Sequence, residues 1–287
     1  MAYKLEGGEA VEAGLRRIAA EELQSAAARL VEARAADRPV AIHEARKTVK
    51  KVRAIIRIAR NEMGPEFEVE NRRLGGAGRG LSDLRDAAVL IETFDWLREK
   101  FKGDLKRRRL SRIRRGLVAR SKRAAQAAIV RPRLKRVAAT LRAAARRSPK
   151  WHTPAGGIFA LAPALDRAYV RARKAFRRAA RSGRTEDYHE WRKRAKDQWY
   201  QVRLVEASWS NHAAEYEKSL RDLQNWLGDE HNLAVLGDVL SARPSAYGTP
   251  EEVQLCLGLI ARARKELRAK ALAYGGRLYT DKSRQPL

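Results

Sequence analysis

The chain has 287 residues, with 62 Lys or Arg against 34 Asp or Glu and a formal net charge of +28. That excess favours polyanionic partners (nucleic acid, inorganic polyphosphate or an anionic membrane), while a 44% hydrophobic share supports a packed core and excludes a disordered basic tail. A single cysteine, Cys256, excludes an internal disulfide framework and a cysteine-based zinc site.

The N-terminus lacks an apolar signal core and no run of about 18 apolar residues occurs, so a soluble, cytoplasmic protein is expected. Ala, Leu, Arg, Glu and Lys dominate and β-branched alternation is absent, so the expected fold class is all-α. Pro39 is placed to start the first strongly patterned helix, which contains IHEARKTVKKVRAIIRIAR from residue 42. At about 100° per residue, Ile42, Ala45, Val49, Val52, Ile56 and Ala59 fall on one side, the spacing of a packed bundle helix. His43, Arg46, Lys47, Lys50, Arg53 and Arg57 form a second stripe beside the first, and Lys51 and Arg60 add to the charge. No acid occurs between Glu44 and Glu62, so like charges three and four residues apart repel without local compensation. A stripe beside the core lines a groove between helices. The plainer alternative is a solvated, snorkelling basic face.

Further along, LGGAGRGL (74–81) fits neither a Walker A loop nor G-x-G-x-x-G and reads as softened or interrupted helix. Residues 102–147 hold 18 Lys or Arg and one acid, Asp104, with Leu105, Ile113 and Leu117 marking helix. A solvated helical connection and an extension of an anion-binding surface both fit that segment. Pro149, Pro154, Gly156 and Gly157 break helical continuity in SPKWHTPAGG, placing a boundary between halves 1–150 and 151–287. Thr185, followed by Glu186 and Asp187, starts a helix at TEDYHEWRKRAK. In the last segment Thr249 is the N-cap, Pro250 the first helical residue and Glu252 the capping-box acid, with Gly275 and Gly276 ending the helix.

Two blocks repeat at one offset. His43, Glu44, Arg46, Lys47 and Lys50 match His189, Glu190, Arg192, Lys193 and Lys196, 146 residues later. At the same offset Leu81, Asp83, Ala88, Val89 and Leu90 match Leu227, Asp229, Ala234, Val235 and Leu236. Ala/Arg-rich composition can imitate one such block but hardly two in register, so the chain reads as a duplicated helical unit. The second copy presents His189, Arg192, Lys193, Lys196 and Arg203, with Trp199 and Tyr200 beside them. Basic stripes from two related halves, facing one cavity, suit a long flexible chain of negative charge.

HEARKTVKKVRAIIR and HEWRKRAKDQWYQVR resemble the two signature helices of the CHAD family, the conserved histidine α-helical domain. LSDLRDAAVL and LQNWLGDEHNLAVL resemble its second signature and GGRLYTDK its C-terminal end, so the resemblance runs over nearly the whole chain. It implies two pseudo-symmetric four-helix bundles around a basic cavity. It also implies binding of inorganic polyphosphate, association with polyphosphate granules and no known catalysis. By position it implies His43, Arg46, Lys50, Lys51 and Arg53 from the first helix, and His189, Arg192 and Lys196 from the second. Asp197 and Trp199 stand where many members continue with basic residues, which implies fewer phosphate contacts from the second half. Arg85 and Asp86 fit the second signature, where the repeat has His231 and Asn232. These four either hydrogen-bond the signature histidines, contact the anion or serve structure alone.

Other chemistries fit less well. H-E-x-x-H zinc binding needs a second histidine where this chain has Lys47 and Lys193, so neither metal nor cofactor is expected. No carboxylate cluster for magnesium is evident, and phosphoryl transfer usually needs one, so a binder is favoured over a phosphohydrolase. The signature helices lack the large apolar anchors of a membrane-surface helix. Nucleic-acid binding is the main alternative: it would use the same cations, with Trp191, Trp199 and Tyr200 stacking on bases. Against it, aromatic residues are 7% of the chain and no nucleic-acid-binding motif is recognisable. Cations flanking His43 and His189 should lower their proton affinity, and a bound polyanion should restore it.

Overall fold

The computed structural model describes residues 3–105, 110–125, 127–206 and 213–280. Every regular element among them is helical, as expected: α1 (Val11–Glu32), α2 (Arg38–Ile58), α3 (Arg60–Met63), α4 (Pro65–Arg79), α5 (Ser82–Lys100) and α6 (Lys102–Leu105) come first. They are followed by α7 (Ser111–Ala124), α8 (Ala127–Arg147), α9 (Ala162–Ser182), α10 (Thr185–Val205), α11 (Ala213–Ala242) and α12 (Pro250–Thr280). Lys106 to Arg109 of the basic run, and Asp281 and Lys282 at the C-terminal end, lie outside the described residues. No helix among the described residues is long and apolar enough to cross a membrane.

Helices α1, α2, α4 and α8 pack into one four-helix group, and α9 to α12 into a second. The long helices α11 and α12 extend beyond the second group. Their far halves are covered by α5 and α7, where Phe94, Ile113, Leu236 and Ile260 share a core. That core therefore draws on both 1–150 and 151–287. The predicted apolar stripe of α2, from Ile42 to Ala59, is buried at all six positions. Ala54, Ile55 and Ile58 are buried too, because α2 also meets α10 and α9 across the middle of the molecule.

Local signals account for the helix ends. Pro39 lies in the first turn of α2, where its missing N–H has no intrahelical partner to lose. The capping box of α12 is formed: Thr249 N donates to Glu252 Oε2 at 3.0 Å, and Glu252 N donates to Thr249 Oγ1 at 3.3 Å. Gly183 ends α9 in the left-handed conformation at φ 64°, and its N–H is donated to Ala179 O. The Pro- and Gly-rich stretch after Arg147 leaves the helical path, and Arg16 Nε pins it to α1 through Trp151 O at 2.7 Å.

Two readings change. Gly275 and Gly276 do not end α12, which continues to Thr280. A Cβ at Gly275 would stand 2.7 Å from Trp191 and 3.0 Å from Phe176, so that glycine serves the close approach of a buried helix to two rings. The stretch LGGAGRGL is uninterrupted helix through Arg79, and α4 stops only at Gly80.

Candidate anion-binding site

The crossing of α2 and α10, flanked by the N-terminal part of α5 and the middle of α11, encloses a cavity of about 550 Å³. His43, Arg46, Lys47 and Lys50 reach it from α2, and His189, Arg192 and Lys196 from α10, with Trp199 and Tyr200 at its edge. Helix α5 adds Arg85, Asp86 and Val89; α11 adds Gln224, Asn225, Gly228, Asp229, His231, Asn232 and Val235. Six Lys or Arg and three His thus face two carboxylates. Six pairs of lining residues are separated by 146 positions: His43 and His189, Arg46 and Arg192, Lys50 and Lys196, Arg85 and His231, Asp86 and Asn232, Val89 and Val235.

The fold fixes several of these groups in advance. Arg46 Nη1 donates to Gly78 O at 3.2 Å and to Ser82 Oγ at 2.5 Å, and its other nitrogen lies 3.8 Å from Asp86. Arg85 makes two parallel bonds of 3.0 Å to Glu92. Lys196 lies over the Trp199 and Tyr200 rings, 6.0 and 5.9 Å from their centroids. Arg192 Nε is buried without a hydrogen-bond partner. His189 Nδ1 and His231 Nδ1 meet at 3.1 Å.

This crowding of cations changes their chemistry. Burial, followed by the charges of Lys196, Arg192 and Arg46, pushes the Lys50 ammonium down to about 7. Burial, Arg192 and Lys47 lower Lys196 to about 8. Burial also comes first for His231, held down to about 3 with Arg192 and His189 as the next causes. His43 and His189 move the same way: burial leads, followed by Arg85 for His43 and by Arg192 for His189. Desolvated like charges held together are unfavourable without an anion among them.

Nine of the fourteen candidate residues meet in the cavity, and five lie elsewhere. Lys51 turns to Glu22 on α1 and covers the Tyr3 ring. Arg53 donates to Asn71 Oδ1 at 2.9 Å, and Arg57 pairs with Asp197 at 2.6 Å. Lys193 pairs with Glu190 on its own helix at 2.5 Å, while Arg203 stacks over Trp199, 5.0 Å from the centroid. Trp191 is fully buried against Phe176 and Tyr200 is 2% exposed, so neither can stack on a base as the nucleic-acid alternative required. No described residue of 102–147 lines the cavity.

Sequence reasoning did not single out Gln224, Asn225 or Gly228. The signal was present: with His231, Asn232 and Val235 they recur three, four and seven residues apart on one face of α11. No group of three His, Cys, Asp or Glu able to hold a metal occurs among the described residues. The lining is dominated by positive charge and hydrogen-bond donors.

The sequence matches the family model of the CHAD domain over residues 17–241. The fold is similar to the crystal structure of the CHAD domain from the plant Ricinus communis, with a TM-score of 0.70 and 19% identity, covering 100% of this chain and 97% of that one. No curated protein matches the sequence.

Proposed function

The chain belongs to the CHAD domain family, and on that premise we propose that it binds inorganic polyphosphate in the cavity between α2 and α10 without chemically altering it. The observation that carries this reading is the convergence of Lys50, Lys196, Arg46 and Arg192, with Lys50 and Lys196 held well below the ordinary lysine range. A flexible polyanion supplies many charges at once and relieves that repulsion. Arg engages phosphate oxygens in a fork, and Lys acts as a point charge. Contributions from positions 146 residues apart support descent of the two halves from one duplicated unit. Association with polyphosphate granules in the cytoplasm follows from the same ligand.

The test is competition. Labelled long-chain polyphosphate bound to the protein is challenged with RNA, DNA and tripolyphosphate at physiological salt. Polyphosphate should resist RNA and DNA at equal phosphate concentration, and its affinity should fall by about 0.7 log units per contact per decade of salt. Displacement by RNA at equal phosphate would favour the nucleic-acid alternative. Phosphate release with magnesium or manganese would overturn the non-enzymatic assignment.

A further inference from the structure

The basic stripe of α2 does not stop where the cavity does. Past Lys50 it continues to Arg53 and Arg57, so from Arg46 to Arg57 it covers about 16 Å of helix axis. Arg46 itself joins the two regions, since it lines the cavity while donating to Gly78 O on α4. One turn further towards the start of α4 lies Gly75, beneath two guanidinium groups. A Cβ at Gly75 would stand 3.7 Å from Arg53 Cζ and 3.4 Å from Arg79 Nη1, and one at Gly76 would stand 3.9 Å from Arg79 Nη2. The side-chain bond from Arg53 Nε to Asn71 Oδ1 holds its guanidinium over α4.

Two guanidinium groups therefore converge over a surface free of side chains, and the nearby acids are committed elsewhere. Glu70 pairs with Arg73 at 2.7 Å and Arg147 at 2.8 Å, and Asp197 pairs with Arg57 at 2.6 Å. Burial, then Arg57 and, after the opposing charge of Asp197, Arg79 set the proton affinity of Arg53, with a net lowering. We propose that Arg53 and Arg79, over the floor formed by Gly75 and Gly76, make a second phosphate subsite contiguous with the central cavity. It takes the part of a polyphosphate chain that extends beyond that cavity. This rests on the polyphosphate reading above and adds a chain-length preference to it: short chains occupy the cavity alone, and long chains use both sites.

The experiment compares tripolyphosphate with long-chain polyphosphate by calorimetry over a series of salt concentrations. The variants are Arg53→Gln with Arg79→Gln, and separately Gly76→Asp, which places a carboxylate beside Arg79 as an internal competitor. Circular dichroism and melting temperature confirm folding of each. Both variants should weaken long-chain binding by about tenfold or more, since each lost charged hydrogen bond costs a factor of that order. In the double variant the salt slope should fall by about 1.4, two contacts' worth. Tripolyphosphate affinity should stay at the wild-type value. Wild-type long-chain affinity in both variants overturns the subsite, as does an equal loss for tripolyphosphate. A wild-type protein that binds neither ligand overturns the polyphosphate reading itself, and the subsite with it.

Discussion

His189 and His231 meet Nδ1 to Nδ1 at 3.1 Å, so one imidazole must donate and the other accept. The accepting ring is neutral, and burial, Arg192 and His189 hold His231 down to about 3. An unfolded histidine titrates near 6.5, so between about 6.5 and 3 the unfolded chain binds more protons than the folded one. Stability must then fall as pH drops through that window. The melting temperature of the ligand-free protein should decline on acidification, and His231→Gln should flatten the slope. Identical slopes in the two proteins would count against the pair as the titrating element.

Lys50 and Lys196 impose a dependence on the alkaline side. Their folded values near 7 and 8 lie below the ordinary 10.5, so a bound anion must draw protons back onto them. Polyphosphate binding at pH 8 should take up protons, and affinity should fall as pH rises through 7 to 8. Calorimetry in buffers of different ionisation enthalpy measures the uptake directly. Heats independent of the buffer would show that these lysines are already protonated in the free protein.

The same two lysines predict opposite effects on stability and binding. Lys50→Met with Lys196→Met removes like charges held together away from water, while keeping their apolar stems. The ligand-free protein should gain on the order of 1 kcal/mol, or about 2–4 °C in melting temperature, and lose polyphosphate binding. A variant that melts lower and still binds would contradict the electrostatic account of the cavity.

Gly275 tests packing away from the anion site. Its missing Cβ accommodates Trp191 and Phe176, both aromatic rings in the core of the second helix group. Gly275→Ala should therefore destabilise the protein by about 1–3 kcal/mol, although alanine is the better helix former. Thermal melts against Gly276→Ala, whose Cβ would meet nothing, supply the control.

Arg57 and Asp197 join α2 to α10 at 2.6 Å, and Asp197 is only 9% exposed. Asp197→Asn keeps the shape and removes the charge, and should cost about 1–3 kcal/mol. Tripolyphosphate binding should persist, because the pair lies outside the cavity. Lost stability with retained short-chain binding is the outcome expected in paired denaturation and binding measurements.

Much of this site was legible because helical periodicity converts directly into neighbourhood. The burial of Ile42, Val49 and Ile56 follows from a repeat of 3.6, and the 146-residue offset selected residue pairs that line one cavity. The capping box at Thr249 and Glu252 depends on residues three apart, so it too could be read locally. Periodicity fails where a neighbouring helix decides the outcome. Gly275 resembles a helix stop until Trp191 is placed beside it. Lys51, Arg53 and Arg57 share the charge of Lys50, but Glu22, Asn71 and Asp197 come from other helices and draw them out of the cavity.

The sequence by itself determined the helices, the basic stripe beside a buried one, and the twofold recurrence of that stripe. The first two are properties of spacing and composition, which act within a few residues; the third is legible by aligning the sequence with itself. Tertiary structure decided which cations meet, because packing α2 across α10 brings Lys50 and Lys196 into one desolvated space and leaves Lys193 beside Glu190. It also set their proton affinities, since burial and like-charge repulsion exist only once the two helices are packed.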